Sequence, residues 1–222
     1  MRPLKGQIME HHHRSRILIA DDHILVAQAC KSFLEPEFEV VGTANDGRAL
    51  LQAAAQLRPD VVILDIAMPG LNGLDAGEQL KHMMRNVKIV YLSFHAEPDV
   101  CAEAFRRGAS GYVLKQSASE ELVRAVRAVL RNGSYITPLI VKDTVDFLLR
   151  SGDTSTPEKR ITRRQREILQ LLAEGKSMKE VASILSIRTG TVAFHKYKTM
   201  ESLGLRTNAE LLRYAIEHHL VE

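Results

Sequence analysis

The stretch DVVILDIAMPGLNG (Asp60–Gly73) carries the fold. Its apolar residues run without alternation, so they suit a strand covered on both faces, as in a parallel sheet. A Met-Pro-Gly turn follows, and Gly73 to Met84 then has helical spacing. Working outward, the same unit recurs. ILIA (Ile17–Ala20) and FEVVGTA (Phe38–Ala44) read as strands, followed by helices over His23–Leu34 and Gly47–Leu57. Downstream, VKIVYLS (Val87–Ser93) and SGYVL (Ser110–Leu114) precede helices over Glu97–Arg107 and Ser119–Arg131. Five strand–helix units in series predict an α/β domain, a five-stranded parallel sheet doubly wound with helices on both faces. In such a sheet, function collects at the carboxyl ends of the strands.

The chain has 222 residues, enough for two domains, and 45% of them are apolar. Its net charge of +3 is unevenly spread. From Pro157 to Glu222 there are 12 Lys/Arg against 8 Asp/Glu, while from Arg14 to Arg131 there are 14 against 15. The C-terminal excess favours an anionic partner there, although an ordinary solvated surface has the same look. Cys30 and Cys101 lie in apolar-periodic segments, as buried free thiols of a reducing compartment do. No run reaches membrane-spanning length and no secretory signal follows the first methionine, so a cytoplasmic location and no membrane partner are expected. Residues 1–13, with His11 to His13, show no periodicity and read as a mobile tail.

Asp21 and Asp22 follow the first strand, Asp65 ends the third, Ser93 ends the fourth and Lys115 follows the fifth. The topology brings all five to one sheet edge. Each has a plainer reading by itself. Asp22 suits a helix cap, Asp65 a turn, and Lys115 an ordinary surface. Together they make a charged site. Three clustered carboxylates need a compensating cation. Hard oxygen ligands with neither thiolate nor imidazole predict Mg²⁺, held by Asp22 directly, by Asp21 through a water, by Asp65 and by the carbonyl of Ala67. A carboxylate is also a nucleophile toward phosphorus; Lys115 and the cation would neutralise the transferred oxygens, and the Ser93 hydroxyl would hydrogen-bond them.

The segments ILIADDH, VVILDIAMPGLNG, IVYLSFH and ASGYVLK resemble the receiver domain of response regulators, over about Arg16 to Gly133. The resemblance implies a flavodoxin-like fold and a sensor histidine kinase that donates a phosphoryl group to Asp65. It also implies that Ser93 and Tyr112 form a switch, the hydroxyl turning toward the phosphoryl group and the ring turning inward behind it. Without the resemblance, Tyr112 is a half-buried strand residue. Two positions that tune hydrolysis in the family hold Ala67 and His95 here, and dephosphorylation is expected to depend on His95. Gln116 stands where many receivers have a proline after the lysine, so a cis bond is not expected there.

Pro138 to Arg150 is amphipathic and SGDTSTPEKR (Ser151–Arg160) has linker composition. The expected domains are 14–133, a linker helix and linker over 134–160, and an all-α unit over 161–222. That unit has helical patterns at Thr162–Ala173, Met178–Leu185, Thr191–Leu203 and Asn208–Leu220. Thr162 is a cap, Ser177 and Glu180 form a capping box, and Thr189 is placed to cap the third helix. The tight turn at Ser186–Arg188 makes a helix-turn-helix, spanning Lys176 to His195. At helical spacing Val192, Thr199, Met200 and Leu203 face inward. Ala193, Phe194 and Tyr197, flanked by Thr191 and Lys198, face outward as base-reading candidates. Lys179, Arg188, Lys196 and Lys198 suit phosphate contacts. A helical protein-interaction unit has the same general pattern. The segment ITRRQREILQLLAEGKSMKEVASILSIRTGTVAFH, however, resembles the LuxR-type domain, and together the two halves resemble the NarL/FixJ class of response regulators. Arg188-Thr189-Gly190 departs from that pattern in the turn.

The expected function is phosphorylation-controlled binding of double-stranded DNA, with activation through domain release, a homodimer, or both, and with no enzymatic action on outside substrates. Two rivals are a phosphate-independent scaffold, in which the acid pair is idle, and a phosphatase on the same sheet, which needs a second acid/base.

Overall fold

The computed structural model describes residues 14–94, 96–150 and 161–221. The expectations for the tail, for His95 and for Ser151–Arg160 lie outside the described residues.

The first unit runs β1 (Arg16–Ala20), α1 (Ile24–Leu34), β2 (Glu39–Ala44), α2 (Gly47–Leu57), β3 (Val61–Asp65), α3 (Gly73–Met83), β4 (Lys88–Ser93), α4 (Pro98–Arg106), β5 (Gly111–Leu114) and α5 (Ala118–Leu130). A sixth strand, β6 (Tyr135–Ile136), then leads into α6 (Pro138–Arg150). The sheet is parallel with order β2-β1-β3-β4-β5-β6. The expected five strands are therefore six. Residues 135–136, read from sequence as the start of a linker, extend the sheet beside Gly111 and Tyr112. Helix α6 packs against α4, burying Ile140 and Thr144.

Strand residues alternate between two cores, so the runs look uniformly apolar in sequence. Leu18, Val62, Leu64, Ile89 and Tyr91 join α2, α3 and α4 on one face, whereas Ile17, Ile19, Ile63, Val90 and Leu92 join α1 and α5 on the other. Polar caps fix the loops that leave the sheet. Asp46 accepts from the amides of Arg48 and Ala49, and Asn72 accepts from the Asp75 amide. At Gly73 a β-carbon would sit 1.9 Å from the carbonyl oxygen of Asp65. The start of α3 thus lies directly on the end of β3. Gly73→Ala is expected to lower stability by about 1–3 kcal/mol through this overpacking. A fall in urea midpoint at constant m-value checks it, and an unchanged midpoint contradicts it.

The second unit is helical: α7 (Arg163–Ala173), α8 (Met178–Ile184), α9 (Thr189–Leu203) and α10 (Asn208–Glu217). Complete capping boxes stand at Thr162/Gln165 and Ser177/Glu180. Ile168 and Leu171 pack on Val181, Leu185 and Val192, while Leu169 packs with Met200, Leu211 and Ala215. The expected Thr189 cap is corrected. Ser186 takes φ 52°, the turn closes sooner, and α9 already begins at Thr189 with Arg188 flanking it and no side-chain cap.

Candidate functional site

Strand ends deliver the acid cluster. Asp65 closes β3 with 2% exposure, and Asp21 is buried one residue beyond β1. The ammonium of Lys115, just past β5, lies 2.8 Å from Asp65 Oδ2 and 3.0 Å from Asp21 Oδ2. Asp65 Oδ1 also accepts from the amide of Ala67, at 3.4 Å. Burial pushes the Asp65 carboxyl up to about 6 against the pull of Lys115, so at neutral pH it remains mostly ionised. Burial works against charge on Lys115 too, but the two carboxylates hold its pKa above the ordinary lysine value.

Asp22 does not cap α1. The chain enters that helix through His23, whose amide donates to Asp21 Oδ1. This leaves the half-exposed Asp22 side chain at the cluster. His23 Nδ1 comes within 2.8 Å of Asp22 Oδ1. The expected all-oxygen environment is thereby corrected: ligand atoms of Asp21, Asp22, His23 and Asp65 lie within 4.8 Å of one another. Three carboxylates against one lysine leave negative charge uncompensated, and this donor set fits a divalent cation.

Ser93, at the end of β4, and Tyr112, in β5, are both buried; burial drives the Tyr112 phenol above the ordinary tyrosine value while the neighbouring Ser93 pulls the other way. The ring of Tyr112 is already inside the protein. Phe94 has no counterpart among the sequence expectations. It is largely exposed, and Lys115 Nζ lies 5.0 Å from its ring centroid. The Lys115–Gln116 bond is trans, because no cis peptide occurs among the described residues. Burial pushes the thiols of Cys30 and Cys101 up to about 12 and 11, so both stay protonated and unreactive.

In the helical unit, α9 buries Val192, Thr199 and Met200 as its spacing predicts. Phe194 is 59% and Tyr197 60% exposed. Thr191, Lys198, Lys179 and Arg188 are also exposed, whereas Ala193 and Lys196 are half-buried. Lys198 stands over the Phe194 ring at 5.5 Å and Lys196 over Tyr197 at 5.6 Å. This places an aromatic surface edged with ammonium groups on one helix face.

The two units are docked, which the sequence did not signal. The buried Gln170 side chain grips the loop after Asp65 with both ends. Its Nε2 donates to the Met68 carbonyl and its Oε1 accepts from the Asn72 amide, each at 2.9 Å. Glu174 accepts from the Gly70 amide, and Asn72 Nδ2 donates to the His219 carbonyl. Asp75, fully buried, is bound by Arg107 of its own unit and by Arg166 of the other. Arg48 pairs with Glu167 at 2.6 Å. In sequence, the only trace is the polar stripe Arg166, Gln170, Glu174, repeating every four residues on α7. The docking uses α7 and the end of the chain, so Phe194 and Tyr197 remain on the surface.

Among the described residues, no helix is long and apolar enough to cross a membrane. Two family profiles match the chain: the response regulator receiver domain over residues 17–127, and the luxR family of bacterial regulatory proteins over residues 159–215. The transcriptional regulatory protein MctR of Rhizobium johnstonii is 35% identical over 208 residues, 93% of this chain and 95% of MctR. The oxygen regulatory protein NreC of Staphylococcus carnosus is 35% identical over 215 residues, covering 93% of this chain and 99% of NreC. Among solved structures, the response regulator RcsB of Salmonella typhimurium aligns with TM-score 0.63 and 28% identity, covering 91% of this chain and 96% of RcsB. An RcsB–DNA complex aligns with TM-score 0.56 and 28% identity, over 90% and 97% of the two chains. With an acid-lined parallel sheet, a LuxR-type helix-turn-helix and relatives that match over nearly their whole length, the chain belongs to the response regulators of two-component systems, as a transcription regulator of the NarL/FixJ class.

Proposed function

We propose that Asp65 accepts a phosphoryl group from a phosphohistidine of a partner kinase and that the modification changes dimerisation and DNA binding. The observation that carries this is the Lys115 ammonium held between Asp65 and Asp21 at 2.8 and 3.0 Å. In the transfer, an Asp65 oxygen bonds to phosphorus, the phosphorus–nitrogen bond breaks, and the imidazole leaves with the electron pair. Lys115 neutralises charge on the oxygens that arrive, and the Ser93 hydroxyl hydrogen-bonds the phosphoryl group. Mg²⁺, when bound, supplies further charge neutralisation. Asp22, Asp65 and the Ala67 carbonyl would hold it directly and Asp21 through water. The chain performs this chemistry only on itself.

For DNA, α9 enters the major groove. Ala193, Phe194 and Tyr197, flanked by Thr191 and Lys198, read base edges and thymine methyls, and Lys179, Arg188, Lys196 and Lys198 hold phosphates. The exposure of Phe194 and Tyr197 supports this reading. Acetyl phosphate with Mg²⁺, followed by intact mass, tests the covalent step. The wild-type chain is expected to gain one phosphoryl group and Asp65→Asn none. No gain on the wild type, or an equal gain on Asp65→Asn, defeats the proposal.

A further inference from the structure

Helix α6 buries Ile140 and Thr144 against α4, but its apolar surface does not stop there. Val141, Val145, Leu148 and Leu149 continue it as an exposed stripe, with Leu149 75% exposed, while the exposed Leu139 lies apart, beyond Lys142 and Asp146. Their spacing of four, three and one is that of a helix seam, and no charge interrupts it. An uncovered stripe of this kind marks a contact surface.

We propose that this stripe is a homodimer seam, in which α6 pairs antiparallel with α6 of a second copy. Charge placement selects this occupant. Lys142 and Asp146 lie one turn apart on the same flank of the stripe. A two-fold axis across two antiparallel helices brings like flanks together. Lys142 of each copy then meets Asp146 of the other, and the pair forms twice. A parallel pair would bring that flank against the α4 side, where no such match exists. The area is modest. One face of a thirteen-residue helix is far less than the roughly 800 Å² per partner of a standard interface, so the seam is reversible and concentration-dependent. Helix α6 is the last described element before the DNA-binding unit, and pairing there would yoke two such units for two half-sites. The seam deepens the reading of the chain as a dimeric DNA binder. It lies away from Asp65, so it is testable separately from phosphoryl transfer.

Full-length Val145→Cys is the direct test, because the native cysteines are buried. Mild oxidation is expected to give a disulfide-linked dimer, whereas Leu25→Cys, on the exposed part of α1, stays monomeric. In sedimentation, Lys142→Asp is expected to weaken the dimer about tenfold, and Lys142→Asp/Asp146→Lys to restore it. Three results each overturn the seam: cross-linking at Leu25→Cys but not at Val145→Cys, no recovery in the double swap, or a monomeric Val145→Cys that resists maleimide because α6 is covered within its own chain.

Discussion

Lys115→Met is expected to destabilise the folded chain by about 3–5 kcal/mol at neutral pH, since it strands buried carboxylates without their counter-ion. The Lys115 side chain is 3% exposed and touches both Asp21 and Asp65. Asp65→Asn should do the opposite. Burial raises the Asp65 carboxyl from 3.8 to about 6, so the folded state holds its proton more tightly than the unfolded chain does. The stability this group contributes is complete below the unfolded value and is lost as pH rises through about 6. The protein should therefore strengthen on mild acidification from pH 8, as far as Asp65 governs it. An asparagine cannot ionise, so Asp65→Asn should remove this slope and gain up to about 3 kcal/mol at neutral pH. In Lys115→Met/Asp65→Asn, the gain should recover much of the lysine's loss. Urea unfolding at pH 5 and pH 8, with chelator present, reads all of these. A wild-type pH slope surviving in Asp65→Asn would refute the assignment.

The opposing signs have a functional sense. The site holds a carboxylate under strain from burial, relieved by one lysine and by whatever cation joins it. In the proposed phosphoryl transfer this carboxylate is the nucleophile, and it sits at the rim of an otherwise apolar sheet.

Much of this rim was legible in the chain. Strands such as Val61–Asp65 have uninterrupted aliphatic runs, and a parallel sheet must align their ends, so Asp21, Asp65, Ser93 and Lys115 could be gathered on one edge without coordinates. His23 was not gathered. Its approach to Asp22 depends on the backbone angle at the entrance to α1, which no periodicity encodes. Tyr135–Ile136 escaped because two residues are too few to alternate. The early start of α9 followed from one left-handed residue, Ser186, a conformation that serine seldom adopts. The docking of the two units escaped for a different reason. It joins residues about a hundred positions apart through polar groups, and polar residues on α7 look like an ordinary solvated face.

That docking supplies the second large effect. Arg166→Ala/Gln170→Ala is expected to separate the units, with a larger radius of gyration in small-angle scattering and unchanged helix content. Gln170 gives up two hydrogen bonds to the loop after Asp65, each worth about 0.5–1.5 kcal/mol, and Arg166 gives up a charged contact worth about 1.5–3. Asp75 keeps Arg107, so the receiver is not left with a stranded charge. A loss of roughly 3–5 kcal/mol shifts the ratio of docked to undocked chains by a factor on the order of 100 to 5,000. The loop matters because two adjacent residues in it face two partners. The Ala67 amide donates to Asp65, and the carbonyl of the next residue, Met68, accepts from Gln170. If Asp65 is phosphorylated as proposed, any movement of this loop is expected to shift docking, and docking would then shift phosphorylation by the same factor at equilibrium. Affinity for a single DNA half-site should stay unchanged in the double variant, since Phe194 and Tyr197 are already on the surface in the docked state. An undocked variant that bound a half-site far more tightly would mean that docking hides the recognition helix. Equal affinity would mean that docking sets where the helix points.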